Sequence, residues 1–309
     1  MGKCEIKRQI GYDLGMDITG NPDTFELQSQ SLLRLWDFND PSASADRFAR
    51  FRARAHEAGL DELAAMTDTQ IARTHGLERR FDDGFALIDS IEGGHPKPSG
   101  ELAVRLGLER GRLLNSSGEK ADSEPHFVAA WEEAQRCDLD GLAVDAAHML
   151  GIVLDGQAGM DWNERALALA IESDQPAANK WKGSLLNNMG WSYHGLEQYE
   201  RAMELFEQAL VLRLEQGDPG PIRIARWCVG RCYRSLGKLD VALSIQRSLE
   251  NDPAADGYVF EEIGECLHAM GEADEAKLSF AKAFELLSKD SWLVANENER
   301  LARLNALST

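Results

Sequence analysis

Small residues recur at a nearly constant spacing along most of this chain, and that periodicity constrains its fold more than any other feature. The residues at equivalent positions are Ala72, Gly111, Gly151, Gly190, Gly230 and Gly264. The steps between them are 39, 40, 39, 40 and 34 residues. Spacing this regular predicts a chain built from repeated units, each of which packs against its neighbours.

The clearest unit, residues 183–212, has the pattern of two amphipathic helices joined by a short turn at residues 195–198. Small residues such as Gly190 and Ala202 allow the two helices to approach closely, and Phe206 fills the space that remains between them. The unit is therefore predicted to be an antiparallel helix pair.

This unit resembles the tetratricopeptide repeat (TPR) at the positions that define that family. The matching residues are Gly190, Tyr193, Tyr199, Ala202, Phe206 and Ala209, at repeat positions 8, 11, 17, 20, 24 and 27. The chain is similar to uncharacterised bacterial cytosolic TPR proteins. The resemblance implies an all-α fold, a right-handed superhelical solenoid of about six to seven antiparallel helix pairs. It also implies a concave wall formed by the first helix of each pair, which binds peptide segments of other proteins.

The periodicity also predicts the domain organisation. Residues 1–22 show no clear period and are expected to be irregular, whereas residues 23–309 are expected to form a single TPR-like solenoid. The repeats match the pattern best over residues 183–290. The charged amphipathic segment 292–307 is predicted to be a capping helix that shields the last repeat from solvent.

Two further helices are predicted before the first clear repeat. The pair Asp23-Thr24 is suited to cap a helix that runs to about Trp36. Asp40 followed by Pro41 provides a cap and a first-turn proline for a helix that ends before Gly59.

Composition and charge exclude several classes of function. The chain carries 52 acidic and 33 basic residues, a formal charge of −19, which repels nucleic acids and anionic membrane surfaces. No stretch of about 18 apolar residues is present, and the N-terminus lacks the apolar core of a signal peptide. The five cysteines lack the spacing of metal ligands. These features predict a cytoplasmic protein without a metal site or cofactor.

The family geometry assigns candidate peptide-binding residues to the concave face. They are Arg73, Arg112, His148, Asn187, Asn188, Trp191, His194, Trp227, Arg231 and Arg234. Tryptophan and arginine are typical binding anchors, so Trp191 and Trp227 are expected to be exposed or half-exposed. Arg231 and Arg234 are suited to bind a carboxylate as a fork.

A structural interpretation of the same residues stays open. Trp191 and Trp227 are also suited to pack between neighbouring repeats. Arg231 and Arg234 would then pair with acids of the next helix, such as Glu261 and Glu262.

The sequence favours a protein–protein interaction scaffold or adaptor that binds a peptide in its groove, with an acidic or carboxylate-bearing anchor. The first alternative is a peptide-sensing regulator that acts on a separate effector. A second alternative is an enzyme that uses Asp145 and His148, with His194 one repeat later. Because no nucleophile elbow, phosphate-binding loop or metal motif is present, we predict that the chain is not an enzyme. The partner and the oligomeric state stay open.

Overall fold

The computed structural model describes residues 22–38 and 40–309. Every secondary-structure element among these residues is a helix and none is a strand, so the predicted all-α fold is confirmed. None of the described helices combines the length and the apolar character that crossing a membrane requires. The predicted N-terminal segment, residues 1–22, lies outside the described residues except for Pro22.

The described residues form two compact units, here called the N-unit (22–185) and the C-unit (186–309). The N-unit contains the 3-10 helices Pro22–Thr24 and Ser29–Leu35, then α1 (Pro41–Glu57), α2 (Asp61–Leu77), α3 (Phe81–Gly94), α4 (Gly100–Ser117), α5 (Lys120–Arg136), α6 (Asp140–Val153), α7 (Gly156–Glu172) and α8 (Pro176–Asn179). The division falls inside α9 (Lys182–Gly195). The C-unit continues with α10 (Tyr199–Gln216), α11 (Pro219–Ser235), α12 (Leu239–Glu250), α13 (Gly257–Met270), α14 (Ala273–Leu287), α15 (Ser291–Asn296) and α16 (Asn298–Leu307). A single superhelix over residues 23–309 stays a prediction.

A recurrent contact between the two helices of a repeat explains why the periodic residues are small. A Cβ atom built on each of three glycines would overlap the ring of a phenylalanine 16 positions later. The pairs and distances are Gly111 with Phe127 at 2.6 Å, Gly190 with Phe206 at 2.5 Å and Gly264 with Phe280 at 2.8 Å. All three rings are fully or almost fully buried, so the glycine lets the ring pack directly on the helix backbone.

The helix start predicted at Asp40 is confirmed. Its carboxylate accepts a hydrogen bond from the backbone N–H of Ala43 at 2.8 Å, and Pro41 is the first residue of α1. Gly59 follows the helix with a φ of +71°, a conformation that glycine adopts without strain.

The helix predicted from Asp23 to Trp36 is wrong. The chain instead forms the two 3-10 helices, and Gln28 between them has extended backbone, with φ −147° and ψ 156°. With this bend, Phe25 is buried in the same core cluster as Leu32 and Trp36. Burial of the aromatic side chain therefore overrides the local helix signal.

The single capping helix predicted over residues 292–307 is also wrong, because this segment forms α15 and α16. Glu297 separates them with φ −130° and ψ 43°, outside the helical region. Asn296 and Asn298 flank the break, and asparagine disfavours helix interiors because its side chain competes for backbone hydrogen bonds.

Candidate functional site

Trp191 and Trp227 of the C-unit are buried, so the expectation that they are exposed is wrong. Only 5% of the surface of Trp191 and 8% of that of Trp227 is exposed to solvent. The ring of Trp191 lies 5.0 Å from that of Phe206 and 5.8 Å from that of Trp227, measured between centroids. The indole N–H of Trp227 donates to the carbonyl of Tyr258 at 3.2 Å. The two rings thus pack between helices of the C-unit.

Arg231 and Arg234 are paired with an internal carboxylate. Arg234 donates to both oxygens of Glu262, at 2.7 and 2.9 Å, and Nε of Arg231 lies 3.0 Å from Oε1 of the same residue. Nε2 of His194 lies 2.9 Å from Oγ of Ser235. Burial, followed by the charge of Arg231, lowers the pKa of His194 to about 4. The arginine fork predicted for a ligand is thus occupied by the neighbouring helix.

The two predicted amides of α9 are buried as well. Oδ1 of Asn187 accepts from the thiol of Cys228 at 3.2 Å, and Asn188 is only 5% exposed. A ligand-binding role for the predicted residues of the C-unit stays a prediction.

The predicted residues Arg73, Arg112 and His148 come together at one cavity in the N-unit, with a volume of about 760 Å³. They project from α2, α4 and α6, the first helices of three successive repeats. Further walls come from the 3-10 helix Ser29–Leu35 and from the turn that follows α8. The cavity therefore joins the periodic helices to two segments outside the repeat pattern.

The cavity residues that sequence reasoning missed include Arg34, Phe38, Lys180 and Trp181. None of them occupies a groove position of a repeat. The step from Gly151 to Gly190 is 39 residues, longer than the 34 residues of a standard TPR unit, and Trp181 lies in the additional segment. A tryptophan in such an insertion was the sequence signal that could have indicated a wall of the cavity here.

Arg112 bridges two buried carboxylates beside the cavity. It donates to Glu109 at 2.6 Å and to Asp145 at 2.5 Å. Burial by itself would raise the pKa of Asp145, but the charges of Arg112 and Arg73 and the hydrogen bond from Arg112 together outweigh burial and hold that pKa below its usual value. The two arginines therefore keep Asp145 ionised in an environment that would otherwise disfavour its charge.

Arg73 contributes the second guanidinium of the cavity. Its closest carboxylate oxygen, Oε1 of Glu109, lies 4.0 Å away, and no described residue accepts a hydrogen bond from it. Burial, followed by repulsion from Arg112, lowers the pKa of Arg73 to about 10, so the group stays charged at neutral pH. The cavity thus holds a cation whose hydrogen-bonding capacity is unused.

His148 is 1% exposed, and both of its ring nitrogens are buried without a hydrogen bond of good geometry among the described residues. The side chain of Asn163 nevertheless acts on the ring as a hydrogen-bonding neighbour. Burial lowers the pKa of His148 to about 4, so the ring is neutral at pH 7. Its ring lies 5.3 Å from that of Trp181.

The repeat resemblance is supported by comparison with known proteins. The tetratricopeptide repeat family model matches residues 183–214. The fold is similar to that of a tetratricopeptide repeat protein from Parabacteroides merdae, with a TM-score of 0.53 and 14% identity over 90% of this chain and 96% of the other. Residues 183–214 thus carry a tetratricopeptide repeat, and the fold of the chain is similar to that of a tetratricopeptide repeat protein. No protein with a curated description matches it by sequence.

Two further solved structures are similar in fold to this chain. RapI in its apo form has a TM-score of 0.65 and 13% identity over 86% of this chain and 78% of RapI. NprR in complex with its cognate peptide NprX has a TM-score of 0.57 and 16% identity over 90% of this chain and 80% of NprR. At these identities the likeness concerns the fold alone.

The geometry of the cavity does not assemble the acid–base pair considered from the sequence. The carboxylate of Asp145 accepts from Arg112 and forms no hydrogen bond with either ring nitrogen of His148. Among the described residues, no group of three or more His, Cys, Asp or Glu side chains is placed to hold a metal ion. The arrangement is suited to binding an anionic group and polar hydrogen-bonding groups.

Proposed function

We propose that this protein is an adaptor or scaffold that binds a short peptide segment in the N-unit cavity. The cavity is the observation that carries the proposal. Its volume of about 760 Å³ lies in the range of roughly 300–1,000 Å³ typical of ligand sites. It is lined by arginine and aromatic side chains, the residue types that most often anchor peptides and proteins.

The charges of the lining favour a peptide with an acidic or carboxylate-bearing anchor. Five cationic side chains and two carboxylates line the cavity, in a chain with a formal charge of −19. These residues are Arg34, Arg73, Arg105, Arg112 and Lys180 against Glu101 and Asp145. A locally cationic cavity in an acidic protein selects anionic groups at short range.

A second candidate function is that of a peptide-responsive regulator that acts on a separate effector. The fold likeness to NprR, whose structure contains its cognate peptide NprX, favours this variant. A regulator differs from a passive adaptor in changing its conformation when the peptide binds. Small-angle scattering with and without a saturating peptide measures this change directly.

Affinity selection tests the proposal. The protein is incubated with a synthetic library of hexapeptides that have free termini, and retained peptides are identified by mass spectrometry. We expect a family of related peptides that the double variant Arg34→Glu/Lys180→Glu, which reverses two exposed charges at the cavity, fails to retain. The control Lys97→Glu/Lys120→Glu makes the same change in net charge elsewhere in the N-unit and should retain them. A wild type that retains no peptide above background, or a cavity variant that retains the same set, contradicts peptide binding in the cavity.

A further inference from the structure

The guanidinium of Arg73 has its closest carboxylate, Glu109, at 4.0 Å and none within hydrogen-bonding distance. Arginine carries five N–H donors in a planar fork, yet no described residue accepts a hydrogen bond from Arg73. The neighbouring cations are satisfied, because Arg112 binds Glu109 and Asp145, and Arg105 lies 2.7 Å from Glu101. Arg73 therefore differs from Arg105 and Arg112 in having N–H donors that no described residue accepts.

Aromatic packing fixes the position of this fork. The rings of Trp36 and Phe38 are stacked at 4.8 Å, and Cζ of Arg73 lies 5.3 Å from each centroid. The indole of Trp36 is itself anchored, since its N–H donates to Gln70 at 3.0 Å. Arg73 is therefore held by its apolar and π contacts rather than by an acceptor, which leaves the fork preorganised for a ligand.

We propose that Arg73 binds a carboxylate of the peptide ligand through its planar fork. The inference rests on the proposed peptide-binding function. A planar carboxylate matches the fork with two parallel hydrogen bonds. Two sources supply the same chemistry, the C-terminal carboxylate of the peptide and an Asp or Glu side chain.

A double-mutant cycle between protein and peptide tests the pairing. Each selected hexapeptide is prepared as the free acid, as the C-terminal amide, and with Asp or Glu replaced by Asn or Gln. Affinities are measured by isothermal titration calorimetry for wild type and Arg73→Gln. For wild type we expect one of the two neutral forms to bind at least about 10-fold more weakly, and the affected form identifies the source of the carboxylate. In Arg73→Gln that loss should fall below about 2-fold, because the partner is already missing.

Two further variants separate ligand binding from folding. Arg136→Gln removes an exposed arginine outside the cavity and should keep the full dependence on the carboxylate. Arg73→Lys keeps the charge without the fork, and we expect it to fold normally while losing affinity for the acid form. This variant decides the question if Arg73→Gln loses helical content by circular dichroism. An Arg73→Lys protein that binds acid and neutral peptides with wild-type affinities overturns the proposal.

The outcomes distinguish failure of this inference from failure of the proposed function. If neutral and acid peptides bind wild type equally well, or if Arg73→Gln keeps the full loss, the carboxylate site is wrong while peptide binding stands. If no hexapeptide is retained, N-acetyl dipeptides as acids and amides serve as probes in thermal unfolding. A stabilisation by the acids alone that requires Arg73 supports the carboxylate site without the peptide function. No stabilisation by either form overturns both.

Discussion

Asp145 and His148 of the cavity have charge states set by burial and by neighbouring charges. Burial disfavours the charged form of each. For Asp145 the charges of Arg112, at 2.5 Å, and Arg73 help to outweigh burial, whereas for His148 the charge of Asp145 does not. Asp145 is therefore ionised with a lowered pKa, whereas His148 is neutral with a pKa of about 4. The two residues respond differently to pH and to substitution.

Replacing Arg112 with methionine should destabilise the N-unit strongly. Glu109 and Asp145 would be left buried without their partner, which costs about 3–5 kcal/mol at neutral pH. Because Arg112 keeps the pKa of Asp145 low, its loss lets that pKa rise, and protonation then relieves the penalty as the pH falls. Urea unfolding of wild type and variant at pH 7 and pH 4.5 measures this. A deficit that is equal at both pH values would contradict the assigned role, and Arg80→Met, an exposed arginine, is the control.

His148 should make the folded protein less stable in acid. The unfolded chain takes up a proton near the ordinary histidine pKa of 6.5, while the folded protein does so only near pH 4. Stability therefore falls as the pH drops from 6.5 to 4, by up to roughly 3 kcal/mol for a fully shielded ring. His148→Gln removes this contribution, so its unfolding free energy should vary less with pH over that range. Equal pH dependence of the two proteins in urea unfolding would refute the prediction.

At the scale of the helices, the sequence predicted the pairs but not the irregular ends. The pairs were predictable because close packing requires a small residue opposite each buried ring, as at Gly190 and Phe206, and this requirement repeats along the chain. The cap at Asp40 was predictable because it depends on adjacent residues. The bend at Gln28 accompanies burial of Phe25 in the tertiary core, which local patterns do not contain. The break at Glu297 had a local signal in the flanking asparagines, Asn296 and Asn298, which the predicted single helix did not take into account.

Gly190→Ala should destabilise the repeat because its Cβ would lie 2.5 Å from Cε1 of Phe206 in a buried contact. Overpacking of this kind costs about 1–3 kcal/mol. Gly195 lies in the same helix, and a Cβ at that position would have no atom within 4 Å, so Gly195→Ala should be neutral or slightly stabilising. Thermal unfolding of the two variants checks the contrast. Equal melting temperatures would show that the glycine spacing does not reflect packing.

At the scale of the whole chain, the sequence assigned Arg73, Arg112 and His148 to one concave wall, and the structure brings them together at one cavity. The sequence misjudged the exposure of Trp191 and Trp227. Arg73, Arg112 and His148 were predictable because repeat periodicity places equivalent helix faces side by side. Trp181 was not, because it lies in an insertion that the period does not describe. Nor does a sequence reveal which partner a guanidinium takes: Arg234 has a carboxylate of its own chain, whereas Arg73 has none within hydrogen-bonding distance.

The end of the C-unit is closed by α16, which packs on α14 and pairs with α13. Leu301 and Leu304 of α16 are buried, Nη2 of Arg300 lies 2.5 Å from a carboxylate oxygen of Glu261, and Arg303 pairs with Glu265. In a repeat protein the last unit has no following neighbour, so a terminal element must cover its apolar face. The predicted capping role of this segment therefore leads to a test by truncation.

Deleting residues 291–309 should lower the stability of the C-unit and promote association. Loss of the two buried leucines alone removes about 3–6 kcal/mol of apolar burial, and the uncovered face of α14 becomes available to other copies of the chain. Urea unfolding and size-exclusion chromatography measure the two effects. The variant Glu299→Ala/Asn305→Ala changes only exposed positions of α16 and should behave as wild type. A truncated chain that elutes as a single species and has the same free energy of unfolding as wild type would contradict the capping role. The apolar face of α14 would then be stable in contact with water.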